Sequence, residues 1–247
     1  MDGQSRVIVA LDFDNRRDAL ELVARLGGAC GFYKVGLELL TAAGPGLVRE
    51  LVAQGHEVFL DLKLFEIPNS VAGAVRAAGG LGASMVTVHA MGGTGIMAAA
   101  VEAAREFPRL RVLALTVVTS MTGSDLADVG IGGTPDEQVL RLARLAAGAG
   151  CAGVIASPRE AGPLRAELGP RPLIVTPGVT LSGGAALSGG AALSGGPALS
   201  GGADGGHSRS GTAEAAFAGG ASYVVVGRSV TRAADPVAAL ARFGAAG

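Results

Sequence analysis

Residues 58–70 read Val58-Phe59-Leu60-Asp61-Leu62-Lys63-Leu64-Phe65-Glu66-Ile67-Pro68-Asn69-Ser70. The first six form an apolar strand pattern that ends on a carboxylate and an ammonium. Polar residues and Pro68 punctuate it. From Ser70 to Leu81 the apolar positions then recur with helical periodicity. This is one β-then-α unit. Seven further strand candidates repeat the pattern: Val7–Asp12, Phe32–Gly36, Met85–His89, Val112–Val118, Gly153–Ala156, Leu173–Thr176 and Tyr223–Val226. Most are β-branched, apolar on both faces and bounded by Gly, Pro or polar residues, as buried parallel strands are. Helical segments lie between them, among them Arg16–Leu26, Gly46–Gln54 and Pro135–Ala147. Pro135 and Pro158 stand where a first helical turn begins. Eight such units in 247 residues predict an α/β fold, a single (β/α)8 TIM barrel in one domain over 1–247. An open doubly wound sheet is the less favoured alternative.

Composition narrows the function classes. With 49% hydrophobic residues the chain is not disordered, and with only 4% aromatics its core must be aliphatic. A net charge of −1 leaves no basic excess to grip nucleic acid or an anionic membrane, so neither is an expected partner. No apolar run reaches transmembrane length. Arg6–Leu11 already reads as a strand, so no signal peptide is expected. Cys30 and Cys151 stand far apart, without metal spacing, and a reducing cytoplasmic setting is the simplest reading. No His, Cys and carboxylate cluster has metal-ligand spacing, so no metal is expected.

The basic residues are skewed. The chain holds 18 Arg but two Lys, Lys34 and Lys63. A coding bias that replaces surface Lys with Arg explains the excess. It does not explain the two survivors unless they persist by chance or do what Arg cannot, which is to give up a proton.

Barrel active sites lie at the C-terminal ends of the strands. The polar residues there are Asp12, Lys34, Asp61, Lys63, His89, Thr119-Ser120, Pro177-Gly178 and Gly227-Arg228. Asp61 and Lys63 are two apart on a strand and are expected on one side, facing the barrel interior near its mouth. Facing the helix layer they would be desolvated at high cost. Alternating ammonium and carboxylate groups would keep both lysines charged and close. An inert buried ion-pair network is the competing reading. The loops after strands seven and eight commonly hold phosphate, which suits Gly178, Gly227 and the donor fork of Arg228. His89 ends a Val-Thr-Val run and reads as structural, and His56 as a residue at a strand entrance.

Residues 181–204 read LSGGAA, LSGGAA, LSGGPA, LSGGAD, one six-residue unit in four copies. Four units without a larger apolar face are too few for a β-helix. The Gly/Ser-rich stretch 181–206 reads as an expanded flexible loop, and its place after strand seven suggests a lid.

The ordered set Val-Ala-Leu-Asp12, Tyr-Lys34-Val-Gly, Asp61-Leu-Lys63-x-x-Glu66-Ile67-Pro-Asn-Ser70, Val-Thr-Val-His89-Ala, Val-Thr-Ser120-Met, Thr-Pro177-Gly178 and Val-Val-Gly227-Arg228 resembles the orotidine 5′-phosphate decarboxylase family over essentially the whole chain. The Asp-x-Lys-x-x-acid element alone is shared with related sugar-phosphate decarboxylases and aldolases. The resemblance implies cofactor-free decarboxylation of orotidine 5′-monophosphate. Lys63 would protonate C6, Asp61 would sit against the substrate carboxylate, and Lys34 would hold the charge array and contact the ribose. Asp12 would bind ribose hydroxyls and Ser120 would read the pyrimidine edge. Pro177, Gly178, Gly227 and Arg228 would line the phosphate end. It also implies a substrate contact for Ile67, and a homodimer in which Glu66 and Ser70 enter the neighbouring subunit's site.

Three positions depart from the family pattern. Glu66 stands where the family has Asp. Thr180 stands where an Arg is usual, and His207 aligns with the phosphate-lid Gln, with Arg209 as a possible compensating cation. A decarboxylase, a paralogue using the same pocket for another reaction, and a nucleotide-binding protein without turnover are therefore all open, although binding alone would not need both lysines.

Overall fold

The computed structural model describes residues 6–181 and 209–247. In chain order the elements are β1 (Val7–Ala10), α1 (Arg16–Leu26), β2 (Phe32–Gly36), α2 (Leu37–Ala43), α3 (Gly46–Ala53), β3 (Glu57–Leu64), α4 (Pro68–Gly80), β4 (Met85–His89), α5 (Gly93–Ala104), β5 (Arg111–Leu115), α6 (Gly123–Asp128), α7 (Pro135–Gly148), β6 (Gly153–Ile155), α8 (Ala161–Leu168), β7 (Leu173–Thr176), β8 (Val179–Thr180), β9 (Gly211–Thr212), α9 (Ala213–Ala218), β10 (Tyr223–Val226), α10 (Arg228–Thr231) and α11 (Pro236–Gly244). Eight strands close a parallel barrel in the order β1-β10-β7-β6-β5-β4-β3-β2. The expected (β/α)8 barrel is the architecture found, and the doubly wound alternative falls away because the sheet closes.

Two apolar layers hold it together. Inside the barrel, Ile8, Phe32, Phe59, Met85, Leu113, Ile155, Val175 and Val225 pack as one cluster. Their sequence neighbours, such as Val7, Val9, Tyr33, Val58, Val86, Val112, Val154 and Val224, face outward and pack in the layer beneath the helices. This two-faced burial is why the strands read as continuous apolar runs. Some helices begin at a side-chain cap. Asn15 accepts the Asp18 N–H at 2.9 Å before α1, and Thr134 with Glu137 forms a capping box before α7.

Several predicted boundaries shift. Strand one ends at Ala10, not Asp12, and strand five ends at Leu115, not Val118. Beyond Leu115 the chain leaves the ladder, and the Thr116 hydroxyl donates to the Ile155 carbonyl at 3.0 Å. Pro158 opens a single 3-10 turn, Pro158–Glu160, ahead of α8. The short parallel bridge of β8 with β9 pairs Val179 with Gly211 and Thr180 with Thr212. The 181–206 repeat leaves from this bridge. Apart from Leu181 it lies outside the described residues, as does His207. Among the described residues no helix is long and apolar enough to cross a membrane.

Candidate active site

Strand register decides which side chains meet inside the barrel. Lys34 pairs with Phe59 and Gly36 with Asp61 between β2 and β3. Paired residues of parallel strands point the same way, so Lys34 and Asp61 stand above the apolar interior layer. Gly36 makes room for them, since a Cβ there would lie 3.3 Å from Lys34 Nζ.

The result is a chain of four charges. Lys34 Nζ donates to Asp12 Oδ1 at 2.9 Å. The same ammonium lies 3.9 Å from Asp61 Oδ2, which accepts from Lys63 Nζ at 2.8 Å. Side-chain exposure grades from 12% for Lys34 and 14% for Asp61 to 36% for Lys63 and 58% for Asp12. Charges alternate and sum to zero, so each ammonium is stabilised by a carboxylate while the cluster remains open at its mouth.

Asp61 and Lys63 do meet, but not by a regular pleat. Leu60 pairs with Val86, and the next pairing is Leu64 with Val88, so β3 bulges between them. Lys63 has φ 49°, the one positive-φ residue other than glycine among the described residues. A β-bulge re-aims side chains, and such features cluster beside functional sites. The simple spacing argument reached the right pair for an incomplete reason.

Other expected site residues are distributed around the mouth. Gly227 follows β10 and is within reach of the array, because a Cβ there would sit 3.7 Å from Asp12 Oδ2. Arg228 opens α10, is exposed, and its guanidinium has no ion-pair or hydrogen-bond partner among the described residues. Pro177 and Gly178 link β7 to β8, and Gly178 takes φ 73°, a conformation that favours glycine. Ser120 is exposed on the loop after β5. Glu66, Ile67 and Ser70 are exposed at the start of α4, and among the described residues no ion pair joins Glu66 to either lysine. The Ser70 hydroxyl, then the Ile67 N–H, hold the Glu66 carboxyl below its usual range. Phe65 and Ile67, on either side of it, are large apolar residues left 60% and 62% exposed.

His89 takes a structural part. Its Nδ1 accepts the Met91 N–H at 3.2 Å, its ring lies beside Phe65, and burial, then the Lys63 charge, lowers its pKa. His56 precedes β3 and packs edge-on against Tyr33. Arg209 does not serve as a free cation for a ligand. Its Nη1 donates to the Met121 carbonyl at 2.9 Å, and its Nη2 to the Val117 and Val118 carbonyls at 3.3 Å. Its Nε lies 2.9 Å from Glu160 Oε1, an ion pair in which the N–H is not aimed at the oxygen.

Three features escaped sequence reasoning. Gly36 was read as a strand end and as part of the Tyr-Lys34-Val-Gly match, not as the space that Lys34 fills. The Glu160–Arg209 pair joins residues 49 apart, with no local pattern to reveal it. Thr87, at 0% exposure, donates its hydroxyl to Asp61 Oδ1 at 2.9 Å and accepts the Lys63 N–H at 2.9 Å. A Thr amid valines signals only a strand. Among the described residues no group of three or more His, Cys or carboxylate side chains is arranged to hold a metal ion.

Known proteins resemble this chain along its length. The sequence model described as "Orotidine 5'-phosphate decarboxylase / HUMPS family" matches residues 5–243. An orotidine 5′-phosphate decarboxylase of Anaeromyxobacter sp. (strain K) is 44% identical over 239 residues, covering 97% of this chain and 96% of its own. That of Alkalilimnicola ehrlichii is 46% identical over 241 residues, covering 97% and 95%. Among solved structures, orotidine 5′-phosphate decarboxylase from Lactobacillus acidophilus superposes with a TM-score of 0.81 at 33% identity, over 97% of both chains. An uncharacterized conserved protein from Geobacillus kaustophilus superposes with a TM-score of 0.80 at 34% identity, over 97% of this chain and 99% of its own.

Proposed function

Because the chain belongs to the orotidine 5′-phosphate decarboxylase / HUMPS family, we propose that it converts orotidine 5′-monophosphate to uridine 5′-monophosphate and carbon dioxide in pyrimidine synthesis. The observation that carries this reading is the contact chain Asp12–Lys34–Asp61–Lys63 at the barrel mouth.

The chemistry follows from what that array can do. Breaking the C6–carboxylate bond releases carbon dioxide and leaves the electron pair on C6. A preorganised ammonium beside C6 stabilises that charge and supplies the proton. Lys63, the more exposed lysine, is the donor. The amine it becomes regains a proton from solvent. Asp61 lies against the departing carboxylate, where repulsion is relieved as carbon dioxide leaves. Lys34, shared between Asp12 and Asp61, fixes the array and reaches the ribose, whose hydroxyls Asp12 accepts from. Ser120 reads the base edge. Arg228, with the Gly227 and Pro177-Gly178 backbone, takes the phosphate, as its unengaged guanidinium favours. Remote grip on the phosphate can then serve transition-state stabilisation. The 181–206 segment rises from the β8–β9 bridge and is proposed to cover that end as a lid, with His207 as a phosphate contact. No cofactor takes part in this scheme.

The working unit is proposed to be a cytoplasmic homodimer. Glu66 and Ser70 would complete the partner's site. The exposed Phe65 and Ile67 around Glu66, and the lack of an ion pair from Glu66 to either lysine among the described residues, support this. Mixing Lys63→Ala with Glu66→Ala chains tests it. Random hybrids restore one complete site per mixed dimer, about a quarter of all sites. No recovery above either variant alone argues against a shared site.

The reading itself is tested by mixing purified protein with orotidine 5′-monophosphate and following the ultraviolet change to product. Turnover abolished by Lys63→Ala is the expected result. Tight nucleotide binding without turnover in the unaltered chain would favour a diverged paralogue or a nucleotide-binding protein, the direction in which Glu66 points.

A further inference from the structure

We propose that Thr87 is a positioning residue of this reaction: one buried hydroxyl sets both the orientation of the Asp61 carboxylate and the backbone turn that aims Lys63. The inference rests on the decarboxylase reading of the same site.

Thr87 occupies the inward face of β4, wholly buried and beneath the mouth. It stands next in line after the Leu60–Val86 pair, where β3 leaves its register. A threonine hydroxyl has one proton to give and lone pairs to receive. Here it gives the proton to Asp61 Oδ1 and receives the Lys63 N–H, both at 2.9 Å. The two bonds land on the two reacting residues of β3.

Each bond has a separate consequence. With Oδ1 tied to Thr87, Oδ2 is left to face the Lys63 ammonium at 2.8 Å and that of Lys34 at 3.9 Å. A free carboxylate would rotate and share its oxygens between the cations differently. The second bond caps the amide of a residue at φ 49°, whose N–H has left the strand ladder. Left-handed backbone at a lysine persists only where its surroundings fix it, and the Thr87 oxygen is the partner that does so. Valine has the same shape and neither capability.

Thr87→Val, Thr87→Ser and the unaltered chain are compared for kcat and KM with orotidine 5′-monophosphate. Their affinity for uridine 5′-monophosphate and their thermal unfolding are measured alongside. Loss of hydrogen bonds to a charged group and a strained amide predicts a fall in kcat of about 10- to 100-fold for Thr87→Val. Product affinity should change by less than about threefold, because the pocket walls are unaltered. Thr87→Ser keeps the hydroxyl and should recover most of the rate. The inference is overturned if Thr87→Val turns over within about twofold of the unaltered chain, or if Ser and Val are equally impaired. It is also overturned if kcat falls only in step with product affinity. Should Thr87→Val not fold, Thr87→Ala carries the same prediction. Failure of both to fold would assign Thr87 to the fold and not to the reaction. Absence of turnover in the unaltered chain would sink the decarboxylase reading, a result distinct from each of these.

Discussion

Replacing Asp61 by Asn removes the central negative charge while keeping the shape of the side chain. At an effective dielectric of about 20, the 2.8 Å contact with Lys63 represents roughly 6 kcal/mol of gross attraction, and the 3.9 Å contact with Lys34 roughly 4 kcal/mol. Most of this is offset by the desolvation of the three groups. Lys34 keeps Asp12 as a partner, so the uncompensated charge falls on Lys63. Lys63 is 36% exposed and water relieves part of its loss. The net destabilisation is then on the order of 1–3 kcal/mol. For a chain of this length that corresponds to a fall in Tm of roughly 2–10 °C. The deficit should persist at high salt, since partly buried pairs are screened less than surface ones. Turnover should fall by about 100-fold or more, because the carboxylate that holds Lys63, and is proposed to oppose the substrate carboxylate, is gone. Urea and thermal unfolding at low and high salt, with steady-state rates, measure all three. A variant as stable as the parent, or more stable with unchanged turnover, would refute the claim that this carboxylate holds the array together. A deficit that vanishes in salt would place the interaction at the surface.

Glu66→Asp should raise turnover if Glu66 reaches the partner's site with one methylene too many, and a fall in kcat would mean the pocket is built around Glu. Burial, against the opposing pull of Arg209, raises the Glu160 pKa. A raised acid contributes stability that is full below the ordinary carboxylate range and is lost as pH rises through its folded value. The Tm advantage of the unaltered chain over Glu160→Gln should therefore shrink as pH rises above the ordinary carboxylate range, and an advantage that grows in that direction would contradict the assignment. The Cys151 thiol is pushed up to about 12 by burial, and that of Cys30 is raised in the same direction. Neither should react with iodoacetamide in the folded protein, whereas both should react in urea. Mass spectrometry distinguishes the two outcomes.

The barrel was legible because parallel strands buried on both faces leave long apolar runs, and four strand ranges read from sequence match the structure residue for residue. Asp61 and Lys63 were legible because charges inside such runs are costly unless used. The bulge between them was not. Register belongs to two strands at once, and a single run of residues does not encode the point at which its neighbour stops following it. Thr87 was hidden for the same reason, since its partners lie on β3. Strand five was read too long because Val117 and Val118 continue the β-branched pattern after the hydrogen-bond ladder has ended. The short helices α2 and α6 carry too few turns to show a period. Arg209 looked like a spare cation near a phosphate site. Only the folded chain brings it to Glu160 and to three carbonyls of the loop after β5.

The placement of both lysines in one array makes the protein a ready substrate for its own chemical footprinting. The full sequence contains no other Lys. Apart from the terminal amine, every primary amine in the molecule belongs to the barrel mouth. Reductive methylation or another amine-directed reagent therefore labels the terminal amine and the two lysines of the barrel mouth. Lys63 should be modified ahead of the more enclosed Lys34, and the extent of labelling gives the fraction of sites left vacant by a bound nucleotide. In a protein with ordinary lysine content that signal would be lost among surface adducts.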